Sequence, residues 1–317
     1  MSSVAAGVPV GFDAPAVTAK GQLDALGWAH TGGPYQGLGL RFAVRATDPA
    51  LGRYLGDLFA ALAAPAGPGA PAEWYSFVDR GPAAARRYAV YFGDRRIGSG
   101  NRPERALMML LWHLNEAVVR ASGDLVVVHA AGAERHGAAV LLPAPAGGGK
   151  TTLVAGLVRA GLRYLTDEAV AIDPATLLVQ PFPKALALDP GSWEVHADLR
   201  PRLDPSVAPF GTFQWHVPPA AIRPDAVAPA ARPRLVVAPR YVPGARTRLS
   251  QVRRSEMLKL LAESTFNFHD VGRRNLEVLA EVVRGCECYR ATVGELGPAC
   301  DEVVAVLDRL LPTEGAG

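Results

Sequence analysis

The sequence contains only three cysteines among its 317 residues: Cys286, Cys288 and Cys300. Three cysteines cannot form a disulfide framework, and the 286/288 pair lacks the second pair of ligands that a structural zinc site requires. Such cysteine usage is typical of a reduced protein, so the sequence predicts a cytoplasmic location.

Long apolar runs and strong charge are also missing. The longest apolar stretches, such as residues 106–112, are far shorter than the ~20 residues that span a bilayer, and the first residues lack the basic and apolar regions of a signal peptide. The net charge is only +3, which gives no electrostatic footprint for nucleic acid. We therefore expect neither a membrane nor a nucleic acid as a partner.

What remains is the composition of a globular chain. Hydrophobic residues make up 49% and charged residues 20%, which allows a sizeable core, and the length suggests about two domains. With 33 glycines and 27 prolines, the chain is unsuited to a helical bundle.

The pattern along the chain divides it into three parts. Residues 1–20 are aperiodic and are predicted to be a flexible terminus. Residues 21–100 alternate between strand patterns and one helix that begins at Asp48-Pro49, which predicts a small α+β domain. Residues 101–317 begin with a strongly helical segment and continue with short apolar runs at 125–128 and 138–142, a glycine-rich loop, a helix and a strand at 163–165. That order is typical of an α/β nucleotide-binding core.

The glycine-rich loop contains the most specific motif. Residues 144–152 read APAGGGKTT, which fits the P-loop pattern G-x-x-x-x-G-K-[ST] with Ala144 in place of the first glycine. Glycines let the backbone N–H groups turn toward phosphate oxygens, the helix N-terminus attracts the anion, Lys150 can reach the β- and γ-phosphates, and the Thr151 hydroxyl can bind Mg²⁺. The alternative is a glycine loop that only resembles the motif. The predicted nucleotide-binding residues are Ala146, Gly147, Gly148, Gly149, Lys150, Thr151 and Thr152.

Three further positions are candidates for the chemistry. Asp167 and Glu168 follow the strand at 163–165, where adjacent carboxylates could divide the holding of Mg²⁺ and the acceptance of a proton, or could form an acidic turn. His129 follows the apolar run 125–128 and is either an active-site residue or a core histidine. Lys184 is one of only four lysines and either faces the site or lies on the surface.

Together, these residues resemble the catalytic domain of the HPr kinase/phosphorylase family. His129, the loop at 144–151 and Arg163-Tyr-Leu-Thr-Asp-Glu168 follow the order and spacing of that family's pattern over residues 125–190. The resemblance implies the P-loop fold shared with phosphoenolpyruvate carboxykinases. It also implies ATP and Mg²⁺ as cofactors, Asp167 as the base that activates a serine hydroxyl, Glu168 with Thr151 at the metal, and His129 as the active-site histidine.

The sequence departs from the family in two ways. Glu168 replaces the usual second aspartate, and no E-[IV]-R-G-x-G run follows Asp167. The implied activity is therefore that of an HPr kinase-like kinase that phosphorylates a hydroxyl group, with a serine of a peptide or protein, such as a natural-product precursor peptide, or a small alcohol as acceptor. The N-terminal domain would recognise that acceptor, and the family implies a homo-oligomer. The alternatives are a nucleotide-binding regulator with little catalysis, or a phosphorylase or ATPase.

Overall fold

The computed structural model describes residues 20–65, 73–80, 87–266 and 268–311. The predicted flexible terminus therefore lies outside the described residues, apart from Lys20. The described chain is mixed α/β and forms two compact units. The first comprises the described residues up to Val118 together with Pro201–Trp215, and the second comprises Val119–Arg200 and the described residues from His216 onward.

The first unit is built on a five-stranded sheet in the order β1-β2-β3-β4-β5. Strands β2 and β3 are parallel and the other neighbours are antiparallel. Helix α2 begins as predicted, because the Asp48 carboxylate accepts from the backbone N–H of Leu51 at 2.8 Å and Pro49 occupies the first turn. The elements are α1 (Lys20–Asp24), β1 (His30–Gly37), β2 (Leu40–Ala46), α2 (Pro49–Phe59), β3 (Glu73–Arg80), β4 (Arg87–Phe92), β5 (Arg95–Gly100) and α3 (Pro103–Ala121).

Aromatic side chains form the core of this unit. The Phe42 ring meets Phe59 and Tyr75 edge to face at centroid distances of 5.4 and 5.6 Å, an arrangement that aromatic pairs prefer. All three side chains are buried. The predicted α+β character of this region is confirmed. The predicted boundary near residue 100 precedes α3, whereas the compact unit continues through Val118.

The second unit contains an eight-stranded sheet in the order β10-β9-β6-β7-β13-β15-β14, with β8 also paired to β6. Its elements are β6 (Val126–Arg135), β7 (Ala138–Pro143), α4 (Lys150–Arg159), β8 (Arg163–Thr166), β9 (Ala169–Ile172), β10 (Val179–Gln180), β11 (Leu186–Leu188), β12 (Trp215–Val217), α5 (Pro219–Ile222), β13 (Arg232–Tyr241), β14 (Arg248–Gln251), α6 (Arg254–Glu263), α7 (Phe268–Arg284, interrupted at Gly272), β15 (Glu287–Val293) and α8 (Leu296–Arg309).

Strand direction in this sheet is mixed. Strands β7, β13 and β15 are parallel to each other, whereas β6 is antiparallel to both β7 and β8. Strands β7 and β8 therefore run in the same direction with β6 between them. The carboxyl end of β7 pairs with Ala130 of β6, whereas β8 and β9 pair with successive parts of β6 on its other side, with Asp167 and Glu168 in the break between them. The candidate site lies where the end of β7 and this break meet β6.

One local prediction is wrong. His129 was expected after the end of a strand, but β6 continues to Arg135 because its second half pairs with β7 and β8. Among the described residues, no helix has both the length and the apolar composition needed to cross a membrane.

Candidate functional site

The loop between β7 and α4, residues 144–149, is called the glycine loop below. Gly147 and Gly149 adopt positive φ angles of +73° and +87°, a backbone region that other residues rarely occupy. A Cβ on Gly148 would lie 2.8 Å from the Ala144 Cβ, so a glycine at position 148 is required for close packing within the loop. The N–H groups of residues 150–152, in the first turn of α4, have no acceptor within the helix, and they lie directly after this loop.

Lys150 is the first residue of α4, and only 6% of its surface is exposed. Its ammonium group donates to the carbonyls of Ala144 at 2.7 Å and Pro145 at 3.1 Å, and its Nζ lies 3.0 Å from His129 Nε2. Burial lowers the pKa of Lys150, and the nearby carboxylates of Glu168 and Asp167 oppose that effect. The lysine therefore lies folded back over the glycine loop, with its charge at the floor of the site.

His129 joins Lys150 to one of the two predicted carboxylates. Its position follows from the sheet register, since Ala130 pairs with Pro143 at the end of β7 and His129 itself pairs with Ala169. Its Nδ1 lies 3.3 Å from Glu168 Oε1, and its ring packs edge-on against Phe266. The two ring nitrogens of one imidazole thus meet a cation and an anion.

Asp167 is held by three donors. Tyr164 Oη and Lys184 Nζ both donate to Oδ1 at 2.9 Å, and the Ala187 backbone N–H donates to Oδ2 at 2.9 Å. Its side chain is 1% exposed. These three donors fix the orientation of the carboxylate.

Glu168 faces the more open side of the site, with 31% of its side chain exposed. Burial acts to raise the pKa of this carboxyl, but contact with His129 and the charges of Lys184 and Lys150 outweigh burial, so the pKa is lowered. Glu168 is therefore a carboxylate at neutral pH, which is the form that binds a divalent cation.

Lys184 and His216 complete the buried cluster. Lys184 is 5% exposed. Burial acts to lower its pKa, but Asp167 and Glu168 prevail and the pKa is raised. Burial and the charge of Lys184 lower the pKa of His216 to about 4, so that imidazole is neutral. Of the two interpretations of Lys184, the structure therefore supports the one in which it faces the site.

Sequence reasoning missed Tyr164 and His216. Tyr164 precedes Asp167 by three residues, a separation that places side chains on opposite faces of a regular strand, so no sequence signal indicated that the two side chains meet. His216 comes from a distant segment of the chain and gave no local signal.

A cavity of about 870 Å³ lies beside the glycine loop. Its walls include the last three residues of that loop and the first turn of α4, among them Thr151 and Thr152, which the motif assigned to the nucleotide. Ala146, also assigned by the motif, is exposed and is not among the lining residues. Further walls come from Ala187–Val195, from the end of β13 at Tyr241 and from the turn that leads into α8.

No group of three or more His, Cys, Asp and Glu side chains is placed to hold a metal ion within the described ranges. Mg²⁺ needs only one or two protein oxygens when phosphate and water supply the rest. The Thr151 hydroxyl and the ionised Glu168 carboxylate are oxygen donors of the type it prefers, so these residues fit the ion that the sequence predicts.

No protein-family model matches the chain, and no curated protein matches it significantly.

Proposed function

We propose that the protein is an ATP- and Mg²⁺-dependent kinase that transfers the γ-phosphoryl group of ATP to a hydroxyl group, with a serine of a peptide or protein as the acceptor. The observation that supports this most directly is the chain of contacts from the glycine loop through Lys150 and His129 to Glu168. It joins a phosphate-binding element to an acidic group within one site. The core would then be a P-loop core of the HPr kinase and phosphoenolpyruvate carboxykinase type.

The glycine loop supports the nucleotide half of this proposal. Its positive-φ glycines direct backbone N–H groups toward an anion, and the N-terminal end of the ten-residue helix α4 adds a partial positive charge. Lys150 lies within the same loop and would exchange its carbonyl contacts for phosphate oxygens. The adjoining cavity of about 870 Å³ is large enough for a nucleotide.

Thr151 and Glu168 would hold the Mg²⁺ that accompanies the nucleotide. When bound, this ion neutralises charge on the β- and γ-phosphate oxygens. His129 holds Glu168 in place from the opposite side, at 3.3 Å.

Asp167 would act as the base. As the acceptor hydroxyl oxygen bonds to the γ-phosphorus, the bond from that phosphorus to the β–γ bridging oxygen breaks and ADP leaves with the electron pair. The hydroxyl proton passes to Asp167, and Lys150 stabilises charge on the phosphoryl oxygens. The three donors on Asp167 fix its orientation, which matters more than its basicity when the transition state is loose.

A second candidate function is a nucleotide-binding regulator with little catalysis. The enclosure of Asp167 favours it, because a carboxylate that is 1% exposed and bonded to three donors is poorly accessible to an acceptor. This candidate shares the nucleotide site with the kinase and differs only in turnover.

Intact-mass spectrometry of serine peptides after incubation with ATP and Mg²⁺ tests the kinase. We expect a mass gain of one phosphoryl group with the wild type, loss of both nucleotide binding and turnover in Lys150→Ala, and loss of turnover alone in Asp167→Asn. Lys259→Ala, a change at a lysine that is 76% exposed, should behave as the wild type. Phosphoryl transfer that persists in both site variants would refute the assignment, and binding without any phosphorylated peptide would favour the regulator.

A further inference from the structure

The glycine loop lies between two different surroundings. On the side of β6 and β8 are the charged groups of the candidate chemistry: His129, Asp167, Glu168 and Lys184. The cavity passes along the loop: residues 187–195 form its wall near Asp167, and Pro239, Tyr241 and residues 293–297 form its wall on the side of β13 and β15. Since β7 leads into the loop and pairs with β6 on one side and β13 on the other, a triphosphate that lies across the loop has one end toward each surrounding.

The carboxylates of Asp167 and Glu168, at one end of the loop, determine the direction in which the triphosphate lies. Transfer requires the terminal phosphorus near the base and the metal-binding carboxylate, so the γ-phosphate lies toward β6 and β8. The α-phosphate and everything attached to it then extend toward β13 and β15, into the cavity.

Tyr241 is the main apolar group at that end. It is the last residue of β13, and a Cβ built on Gly149 would lie 3.9 Å from the Tyr241 Cβ. Although large and aromatic, Tyr241 is 57% exposed. An exposed aromatic ring that lines a cavity beside a phosphate-binding loop provides a stacking surface for a base.

The adjoining wall, at the end of β15, is rigid. The Thr247 hydroxyl accepts from the N–H groups of Gly294 and Glu295 at 3.1 and 3.2 Å. A Cβ on Gly294 would lie 1.7 Å from the Ala245 carbonyl oxygen, so only glycine allows the chain to pass here. On the floor, Gly156 lets α8 approach α4 closely, because a Cβ there would meet Cys300 Sγ at 2.7 Å. The cavity is therefore formed before any ligand binds.

We infer that this cavity binds the nucleoside half of the nucleotide, with the purine base stacked on the Tyr241 ring, beside the turn at residues 293–297. The inference rests on the proposed function, because it needs the triphosphate on the glycine loop. It assigns Tyr241 as the residue that makes the site select a nucleoside triphosphate over a bare polyphosphate.

Calorimetric titration with two probes tests the assignment without knowledge of the acceptor. The probes are the β,γ-imido analogue of ATP with Mg²⁺, and inorganic tripolyphosphate with Mg²⁺. We expect Tyr241→Ala to weaken the affinity for the ATP analogue about tenfold, equivalent to about 1.4 kcal/mol. The affinity for tripolyphosphate should change less than twofold. Tyr241→Phe keeps the ring and should bind both probes as the wild type does.

Trp112→Ala is the matched control, because Trp112 is 54% exposed and is not a lining residue of the cavity. It should alter neither affinity. If Tyr241→Ala lowered the affinity for both probes equally, or left the affinity for the ATP analogue unchanged, the inference would be overturned and the proposed function would remain intact. A wild type that binds neither probe, or a Lys150→Ala variant that binds both unchanged, would instead refute the proposed function, and the inference with it.

Discussion

At the scale of single residues, the buried pair of Lys184 and Asp167 dominates the energetics of the site. Their side chains are 6% and 1% exposed and are joined at 2.9 Å. Two opposite charges in a protein interior compensate each other's lost hydration only while both are present. The pair therefore fixes the geometry of the site, and removal of one partner should lower the free energy of unfolding substantially.

Lys184→Met should destabilise the fold by about 3–5 kcal/mol, since it leaves Asp167 buried without its cation. The double variant Lys184→Met/Asp167→Asn removes both charges and should be more stable than Lys184→Met alone. Urea unfolding measures the difference. Lys259→Met, at a lysine that is 76% exposed, should change stability by less than about 0.5 kcal/mol. A double variant no more stable than Lys184→Met would show that the two charges are not coupled.

His216 should make the stability of the folded protein depend on pH. Its pKa is lowered from 6.5 to about 4, by burial first and then by Lys184, while Asp167 acts the other way. Between these two values the unfolded chain binds a proton that the folded chain does not. Stability should therefore fall as the pH drops from 6.5 toward 4, by about 3 kcal/mol at about 1.4 kcal/mol for each pKa unit.

Urea unfolding of the wild type and of His216→Gln at pH 7.5, 6.5, 5.5 and 4.5 checks this. The wild type should lose stability more steeply than the variant. His196, whose pKa is also lowered by burial, contributes in the same direction to both proteins and so cancels in the comparison. Parallel curves for the two proteins would mean that His216 takes up its proton equally well in the folded and unfolded states.

At the scale of elements, the packing of α4 against α8 supports the floor of the cavity. Gly156 lies inside α4, where alanine would ordinarily be preferred by about 1 kcal/mol. A Cβ at that position would, however, lie 2.7 Å from Cys300 Sγ and 2.9 Å from Leu296 Cδ1. Close approach of the two helices, and not helix propensity, explains the glycine.

Gly156→Ala should therefore destabilise the protein by about 1–3 kcal/mol through overpacking. Gly297→Ala is the matched control on α8, because nothing lies within 4 Å of a Cβ there. It should not lower stability. Chemical denaturation of the three proteins measures both effects, and a Gly156→Ala variant as stable as the wild type would show that the helices can separate without cost.

At the scale of the whole molecule, the sequence predicted what depends on neighbours along the chain. The strand, glycine loop and helix at residues 138–159 are confirmed. The antiparallel placement of β6 between β7 and β8 could not be predicted, because pairing depends on distant segments. For the same reason the sequence did not show that Tyr164 and the Ala187 N–H hold Asp167.

A ligand that binds the glycine loop should stabilise the compact unit that contains the loop. At a free concentration one hundred times its Kd, the β,γ-imido analogue of ATP with Mg²⁺ should add about 2.7 kcal/mol. The second compact unit contains both the loop and the cavity. The stabilisation should therefore appear in the calorimetric transition of that unit, and as slower hydrogen exchange of peptides that cover residues 144–160.

The Lys150→Ala variant at the same ligand concentration provides the reference, because loss of affinity leaves little ligand bound to the native state. The temperature of its calorimetric unfolding transition should not change when the ligand is added. If the wild-type transition also stayed in place while titration showed saturation, the ligand would bind the unfolded chain as well as the native one, and a preformed site at the glycine loop could not account for the binding.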